Sequence, residues 1–576
     1  MVDLPSKTCK TQRFPIGKED YKRVVDEGFV FIDKTLLIKE FWEDMGEITL
    51  VTRPRRFGKS IALSMMRYFF EKTAKPTAYL FENSKIWQEE EFRKIQGTYP
   101  VIHISFKDVK SRTWDEAYQK IQSVIAQEIR RTLKPIESMM SKDYKKNYEA
   151  LMDETASKTK FAESLFFITE VFKEYLGENT IVLIDEYDAP IINSYMHGYY
   201  DEMIEFMRDL FAKALKGNIH LRKGFMTGVV RTAKDGILSG LNNPKICTML
   251  DSEYSDKFGF TEDEVKALLC GVNRSEKETE VKKWYNGYIV GTKNANLAHS
   301  IYNPWSILNY LDNTADHPQS YWVSTGSTDL LERLIAEAGG NTQEELKLLL
   351  EGKALERKII NEDVILLDLD EKECEPWSFL FFAGYLTATG YTFDNKYYYT
   401  LELPDKEIAD LYKDLVVKAI DKKLKSAQLV DFLKALVAGN SFKVESLLRN
   451  FIQSFCSSHD LPHNDLERSL HLFVLGLLVS LSERYIVDSN IESGKGRYDI
   501  MLCPRSSLDP GILLEFKKGE NLEKLSLDAL EQIKAQNYKA RLKNLGYLGP
   551  VLAYGIATYK KELLVKMELL PFKAGN

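Results

Sequence analysis

Cysteine is sparse and scattered: Cys9, Cys247, Cys270, Cys374, Cys456 and Cys503 make no CxxC pair. That excludes a disulfide framework or a zinc-ribbon spacing and predicts free thiols in a reducing compartment. Long apolar runs are also missing. The longest, Leu472 to Leu481, is far short of the roughly 20 residues a bilayer span needs and reads as a core helix. The amino terminus, Met-Val-Asp-Leu-Pro-Ser-Lys, lacks the apolar stretch of a signal peptide. A soluble, cytoplasmic protein without a membrane partner is the expectation. An excess of positive charge is absent too. With 78 Lys and Arg against 85 Asp and Glu, the net charge is -7. A global basic field for nucleic acid is thereby excluded, whereas a local basic groove is not. Internal repeats, low-complexity segments and Gly-, Ser- or Pro-rich linkers are lacking as well.

What is present is ample chain for several cores. At roughly 100–200 residues per domain, 576 residues suggest three or four domains. Residues 1–260 alternate apolar strands (Ile48–Thr52, Val101–Phe106, Ile181–Asp185, Phe225–Val230) with amphipathic helices. This is the pattern of a mostly parallel sheet covered on both faces, an α/β fold. Residues 261–450 read as a helical middle or lid domain packed on the first. Helices at Thr261–Cys270 and Thr342–Glu351 are interrupted by an aromatic, β-prone stretch, Tyr391–Leu403. Residues 451–576 read as a small α/β domain. Its strands are expected at Tyr485–Ser489, Tyr498–Leu502, Gly511–Phe516 and Val551–Thr558, with a helix at Leu525–Leu542.

Arg53-Pro-Arg-Arg-Phe-Gly58-Lys59-Ser60 follows a buried strand and opens a helix. It matches the last three positions of GxxxxGK[ST], with Arg53 in place of the first glycine. Backbone N–H groups at a helix N-terminus hold phosphate oxygens, Lys59 can reach the β- and γ-phosphates, and the Ser60 hydroxyl can ligate Mg²⁺. The nucleotide-binding set is therefore Arg53, Arg55, Arg56, Phe57, Gly58, Lys59 and Ser60. Alone, Gly-Lys-Ser is as readily a chance helix cap. A second element weighs against chance: Ile181-Val-Leu-Ile-Asp185-Glu186 is an apolar strand ending in two acids. A buried Asp185 needs a partner, and a Mg²⁺ shared with Ser60 is a good one. Glu186 is placed to polarise the attacking water. A strand, Val101–Phe106, lies between the two motifs, and an extra strand there is what a catalytic-Glu class of P-loop ATPase would show. Phe225–Val230 leads into Arg231, a polar or cationic sensor for the γ-phosphate.

Several phrases make the resemblance specific: Arg53–Ser60 with Phe14-Pro-Ile-Gly and Phe31-Ile-Asp-Lys34-Thr35, then Ile184-Asp-Glu-Tyr-Asp188-Ala-Pro190 and Thr227-Gly-Val-Val-Arg231. Ser239-Gly-Leu-Asn-Asn243, Trp284-Tyr-Asn-Gly-Tyr288 and Tyr302-Asn-Pro-Trp305 complete it. Together they resemble the AAA-ATPase-like family, in which Arg replaces the first loop glycine. The resemblance implies ATP as the nucleotide. The two aromatic phrases are expected to form turns and to anchor the lid by packing.

The C-terminal unit carries Gly496-Arg-Tyr-Asp499-Ile-Met-Leu and Gly511-Ile-Leu-Leu-Glu515-Phe-Lys517-Lys518. Residues two apart on a strand share a face, so Glu515 and Lys517 point one way, and Asp499 starts a neighbouring strand. Such oxygen ligands suit Mg²⁺ or Mn²⁺, which would polarise a phosphodiester while the lysine orients or deprotonates water. A surface salt bridge is the plain alternative for these three residues. The arrangement resembles the PD-(D/E)xK nuclease superfamily, in the version fused behind AAA-ATPase-like domains, with Tyr498 where the superfamily name has Pro. The resemblance adds Glu467 as an acid from the preceding helix and sets Gln532 and Tyr538 on the following one. His471 reads as core packing.

Two functions follow as expectations. In the first, ATP binding or hydrolysis regulates a metal-dependent nuclease acting on DNA, or RNA, with Lys495, Arg497, Arg505, Lys518 and Lys534 contributing local positive charge. In the second, the chain is a nucleotide-switched sensor or scaffold whose nuclease-like domain only binds nucleic acid or a protein partner. Self-association into a homo-oligomer is compatible with both, since Arg231 could act within its own chain or across subunits.

Overall fold

The computed structural model describes residues 12–231, 244–313, 317–322, 329–337, 340–350, 352–363, 366, 376–423, 426–456, 484–488, 500–506, 508–535, 542, 546–559 and 562–571. The chain divides into two compact units, residues 1–330 with 351–410 and residues 331–350 with 411–576.

The first unit is built on a parallel sheet of β1 (Ile48–Thr52), β2 (Val101–Ser105), β3 (Thr180–Asp185), β4 (Leu221–Gly228) and β5 (Lys245–Cys247), in the order β2-β3-β4-β1-β5. β1 and β3 are buried along their whole length. This is what near-continuous runs of β-branched and aliphatic residues produce when helices cover both faces. Helices Lys59–Phe70, Trp114–Leu133, Ser164–Leu176 and Tyr200–Leu215 pack on the sheet. Trp114–Leu133 has a full set of end signals. The Thr113 hydroxyl accepts from the Glu116 N–H, Asp115 and Glu116 lie in the first turn, and Arg130 and Arg131 lie in the last.

The strand between the two motifs in the chain, β2, sits beside β3 on the outer side. In the sheet, β4 separates β3 from β1. The ends of β3 and β1 therefore flank the end of β4, and side chains from β3, β4 and the helix that follows β1 reach one place.

The same unit carries two antiparallel sheets. β6 (Phe260–Thr261), β7 (Asn286–Val290) and β8 (His299–Tyr302) run in the order β6-β8-β7. β9 (Leu355–Lys358), β10 (Thr387–Asp394) and β11 (Lys396–Glu402) run in the order β10-β11-β9. The aromatic stretch expected at Tyr391–Leu403 thus belongs to a tight hairpin, turning at Asn395 with a left-handed φ of 58°. Tyr285, Tyr302 and Tyr310 share one core with Phe14, Ile32 and Leu268. The aromatic phrases do pack.

The second unit holds a mixed sheet of β12 (Tyr485–Asp488), β13 (Ile500–Pro504), β14 (Gly511–Lys518), β15 (Val551–Tyr559) and β16 (Glu562–Leu570), in that order. Only β14 and β15 are parallel, and helix Leu522–Ala535 makes the crossover between them. A Cβ at Gly555 would lie 2.1 Å from the Ser526 carbonyl oxygen, so this glycine lets the helix lie close on β15. The last strand, β16, is an addition to the sequence expectation. It pairs with β15 along its full length.

Arg53 follows β1 directly and is fully buried. Its guanidinium donates to the carbonyls of Thr52 (2.8 Å), Cys247 (3.2 Å), Thr248 (2.9 Å), Glu253 (3.2 Å) and Tyr254 (3.2 Å). Burial pushes its pKa down to about 10. The side chain ties the end of β1 to the segment after β5. Restoring the motif glycine, Arg53→Gly, is therefore expected to destabilise the unit by roughly 3 kcal/mol or more, because five carbonyls lose a charged donor. Urea unfolding of wild type and variant measures this, and an unchanged midpoint would refute the role.

Candidate functional site

Helix Lys59–Phe70 starts at Gly58, which takes a left-handed φ of 85°. Arg56, two residues earlier, is also left-handed, at 68°. The two positive φ values turn the chain so that the helix N-terminus opens toward a cavity of about 420 Å³. Arg55, Arg56, Phe57, Gly58, Lys59, Ser60 and Glu186 line it. Ile16, Val30, Phe31 and Leu308 supply apolar wall, and the phrases around Phe14 and Phe31 contribute to it.

Lys59 is 4% exposed, and its Nζ donates to the carbonyls of Arg53 (3.0 Å) and Pro54 (2.9 Å). Burial pushes its pKa down, against the pull of Glu186, Asp185 and Asp188. The Ser60 hydroxyl donates to Asp185 Oδ2 at 2.7 Å, and Ser105 reaches the same oxygen at 3.3 Å. Thr227 Oγ1 donates to Asp185 Oδ1 at 2.7 Å. Burial, then Glu186, raises the Asp185 pKa, while Ser60, Thr227 and Lys59 lower it. A serine hydroxyl and a carboxylate in contact are hard oxygen donors and fit Mg²⁺. Glu186 takes a left-handed φ of 49° and is half-buried, so it lines the cavity although Asp185 beside it is sealed.

Two residues expected here lie elsewhere. Arg53 is committed to the five carbonyls above and does not line the cavity. Arg231 forms an ion pair with Asp363 at 2.8 Å and does not line it either. The polar group that β4 brings to the site is Thr227. The phrase Thr227-Gly-Val-Val-Arg231 contained it, but a charged residue was the stronger signal.

The sequence also left the supports of the loop unassigned. Trp322 Nε1 donates to the Arg55 carbonyl (3.1 Å), as does Asn303 Nδ2 (3.5 Å), and the Gly259 N–H donates to the Phe57 carbonyl (3.0 Å). The Phe57 ring meets Tyr288 edge-on at 5.0 Å. Lys34, on the cavity wall, donates to both Glu264 carboxylate oxygens and to the Asp256 carbonyl, each at 2.7 Å. Asp188 is buried and accepts from the N–H groups of Val229 and Val230 at 2.8 Å. A Cβ on Gly228 would fall 2.6 Å from the Tyr187 ring, so the end of β4 lies directly on this turn.

In the second unit, Glu515 is buried on β14. Lys517, two residues on, donates to Gln532 Oε1 of helix Leu522–Ala535 at 2.7 Å. β13 begins at Ile500, paired with Leu514. Glu467, Asp499 and Tyr538 lie outside the described residues, as do His471, Lys495 and Arg497. Among the described residues, no group of three or more His, Cys, Asp or Glu side chains is placed to hold a metal ion. Glu515 and Lys517 alone supply one acid and one amine.

A parallel sheet with a phosphate loop after β1, an acid pair after β3 and one strand between them defines the first unit's central module as a P-loop NTPase fold. Residues 15–238 match the family described as "Predicted AAA-ATPase", and residues 465–568 match the PD-(D/E)XK nuclease superfamily. The chain carries one domain of each. It is also similar to an uncharacterized protein in the vnfD 5' region of Azotobacter chroococcum mcd 1, at 24% identity over 552 residues, 93% of this chain and 96% of that protein. Among the described residues, no helix is long and apolar enough to cross a membrane.

Burial holds the Asp188 pKa up at about 6, with the two backbone donors opposing it. A carboxyl with a raised pKa binds its proton more readily in the folded state. Its contribution is full below the ordinary carboxylate range and is lost as pH rises through about 6. Asp188→Asn keeps the acceptor without the charge. The variant is expected to match wild type near pH 4 and to exceed it by up to roughly 3 kcal/mol above pH 7. Chemical denaturation across this range measures the difference, and a gap that does not grow with pH would refute it.

Proposed function

We propose that this chain binds and hydrolyses ATP and that its nucleotide state regulates a metal-dependent nuclease acting on DNA, or RNA. The observation that carries the ATP reading is the 2.7 Å contact of Ser60 with Asp185 beside buried Lys59, with Glu186 facing the same cavity. On this reading Ser60 and Asp185 hold Mg²⁺, which would offset phosphate charge. Lys59 and the N–H groups at the start of helix Lys59–Phe70 bind the phosphates, with Arg55 and Arg56 adding positive charge. Glu186 orients water and takes up its proton.

The nuclease reading is supported by the superfamily match, by buried Glu515, and by the Lys517–Gln532 contact that fixes the amine. Glu467, Asp499 and Glu515 are its proposed metal ligands, with Mg²⁺ or Mn²⁺, and Lys517 orients the water.

Regulation is supported by a continuous route. Trp322 donates from its indole to Arg55 of the loop and from its backbone N–H to Glu407. Glu407 lies on helix Lys406–Lys423, which passes from the first compact unit into the second after Asp410. A loop that shifts with bound nucleotide pulls on the start of that helix.

Circular and linear DNA, incubated with the full chain and Mg²⁺ or Mn²⁺ with and without ATP, tests both halves. Lys59→Ala and Glu186→Gln are expected to lower ATP turnover by about a hundredfold or more. Lys517→Ala is expected to abolish cleavage and leave ATP turnover intact. Cleavage that persists in Lys517→Ala, or none under any condition, refutes the nuclease half. Turnover unaffected by Lys59→Ala refutes the ATPase half.

A further inference from the structure

A P-loop ATPase needs a cation at the terminal phosphate beyond the loop lysine, and the arginine that the sequence nominated, Arg231, is paired with Asp363. Arg53 is committed to carbonyls. Arg56 is placed differently. Its backbone holds a left-handed φ of 68°, where a non-glycine residue is uncommon, and its side chain lines the cavity shared by Lys59, Ser60 and Glu186. Its guanidinium carbon lies 4.3 Å from the centre of the Trp305 ring, which lines the same cavity. A guanidinium stacked on an indole keeps its N–H fork available in the plane while losing side-chain freedom.

Trp305 is itself fixed. Its Nε1 donates to the Tyr321 carbonyl at 3.1 Å, and its own N–H donates to Asn303 Oδ1 at 2.9 Å. Asn303 caps helix Pro304–Asp312 and reaches the Arg55 carbonyl through its Nδ2 at 3.5 Å. The platform is thus tied to the residue next to the arginine it carries.

We propose that Arg56 is the catalytic arginine of this ATPase, supplied by the phosphate loop of the same chain, and that Trp305 positions it. The assignment rests on the ATPase reading above. In the step it assists, the water oxygen bonds to the γ-phosphorus as the bond from that phosphorus to the β–γ bridging oxygen breaks. ADP leaves with the electron pair, and the water's proton passes to Glu186. Arg56 donates N–H groups to the γ-phosphate oxygens and the bridging oxygen, where negative charge grows.

Steady-state ATP hydrolysis by the full chain tests this. Arg56→Gly keeps the left-handed turn accessible. It is expected to lower kcat by about a thousandfold with KM little changed, and millimolar guanidinium ion should restore part of the rate. Arg56→Lys, which keeps the charge without the fork, should fall well short of wild type. Trp305→Ala should lower kcat less than Arg56→Gly does, and Trp305→Phe should recover most of that loss. Wild-type specific activity should stay constant on dilution, as an arginine from the same chain requires. If Arg56→Gly retains kcat within about threefold of wild type while Lys59→Ala is inactive, the role of Arg56 is overturned and the ATPase reading stands. A rate that vanishes on dilution, or no guanidinium rescue, also overturns the role. If the wild-type chain does not hydrolyse ATP, the reading falls and the assignment with it.

Discussion

The carboxylate of Asp185 stands at the end of a strand that is buried throughout, and a charge in that position must be met by donors. Three hydroxyls meet it, each from a different element: Ser60 from the helix after the loop, Thr227 from β4 and Ser105 from the end of β2. The order β2-β3-β4-β1 makes this convergence possible, because the strand bearing the acid has β2 and β4 as its direct neighbours. The same demand separates the two adjacent acids. Strand alternation ends at Asp185, and a left-handed φ at Glu186 turns the next carboxylate into the cavity. One acid is sealed by hydroxyls and the other is open to a ligand.

The loop before the helix lacks the first glycine of the general motif, and its shape is imposed from outside. Arg53 holds the chain where β1 ends. Arg56 supplies a positive φ that a glycine would adopt at less cost. Pro54 packs where a Cβ on Gly384 would come within 2.6 Å of it. Trp322, Asn303 and Gly259 hold the carbonyls of Arg55 and Phe57. These contacts come from residues 259–384, well beyond the sheet in the chain. The phosphate loop and the segment over it therefore form one mechanical assembly.

This division explains what could be read from the sequence. β1 and β3 were legible because continuous apolar runs end in charged motifs, and period-two spacing was enough to put Glu515 and Lys517 on one face of β14. Side-chain destinations were harder to see. Nothing near Arg53 in the chain announces the carbonyls of Cys247 to Tyr254, and nothing near Arg231 announces Asp363. Apart from the adjacent Thr52 carbonyl, the partners of both guanidiniums lie far away in the chain. β16 was missed because Glu562–Leu570 mixes charged and apolar residues without strict alternation, and its pairing with β15 decides the matter.

Glu407 shows how the assembly extends beyond the nucleotide cavity. Its carboxylate accepts from Ser306 Oγ at 2.7 Å and from the N–H groups of Tyr321 and Trp322. Burial pushes its pKa up against these three donors. A buried acid with this many donors tolerates few alternative positions, since each lost donor leaves an unsatisfied group in a low dielectric. Trp322 thus touches the loop carbonyl of Arg55 through its indole and Glu407 through its backbone N–H. Helix Lys406–Lys423 is thereby tied, at its first turn, to the phosphate loop within the first compact unit.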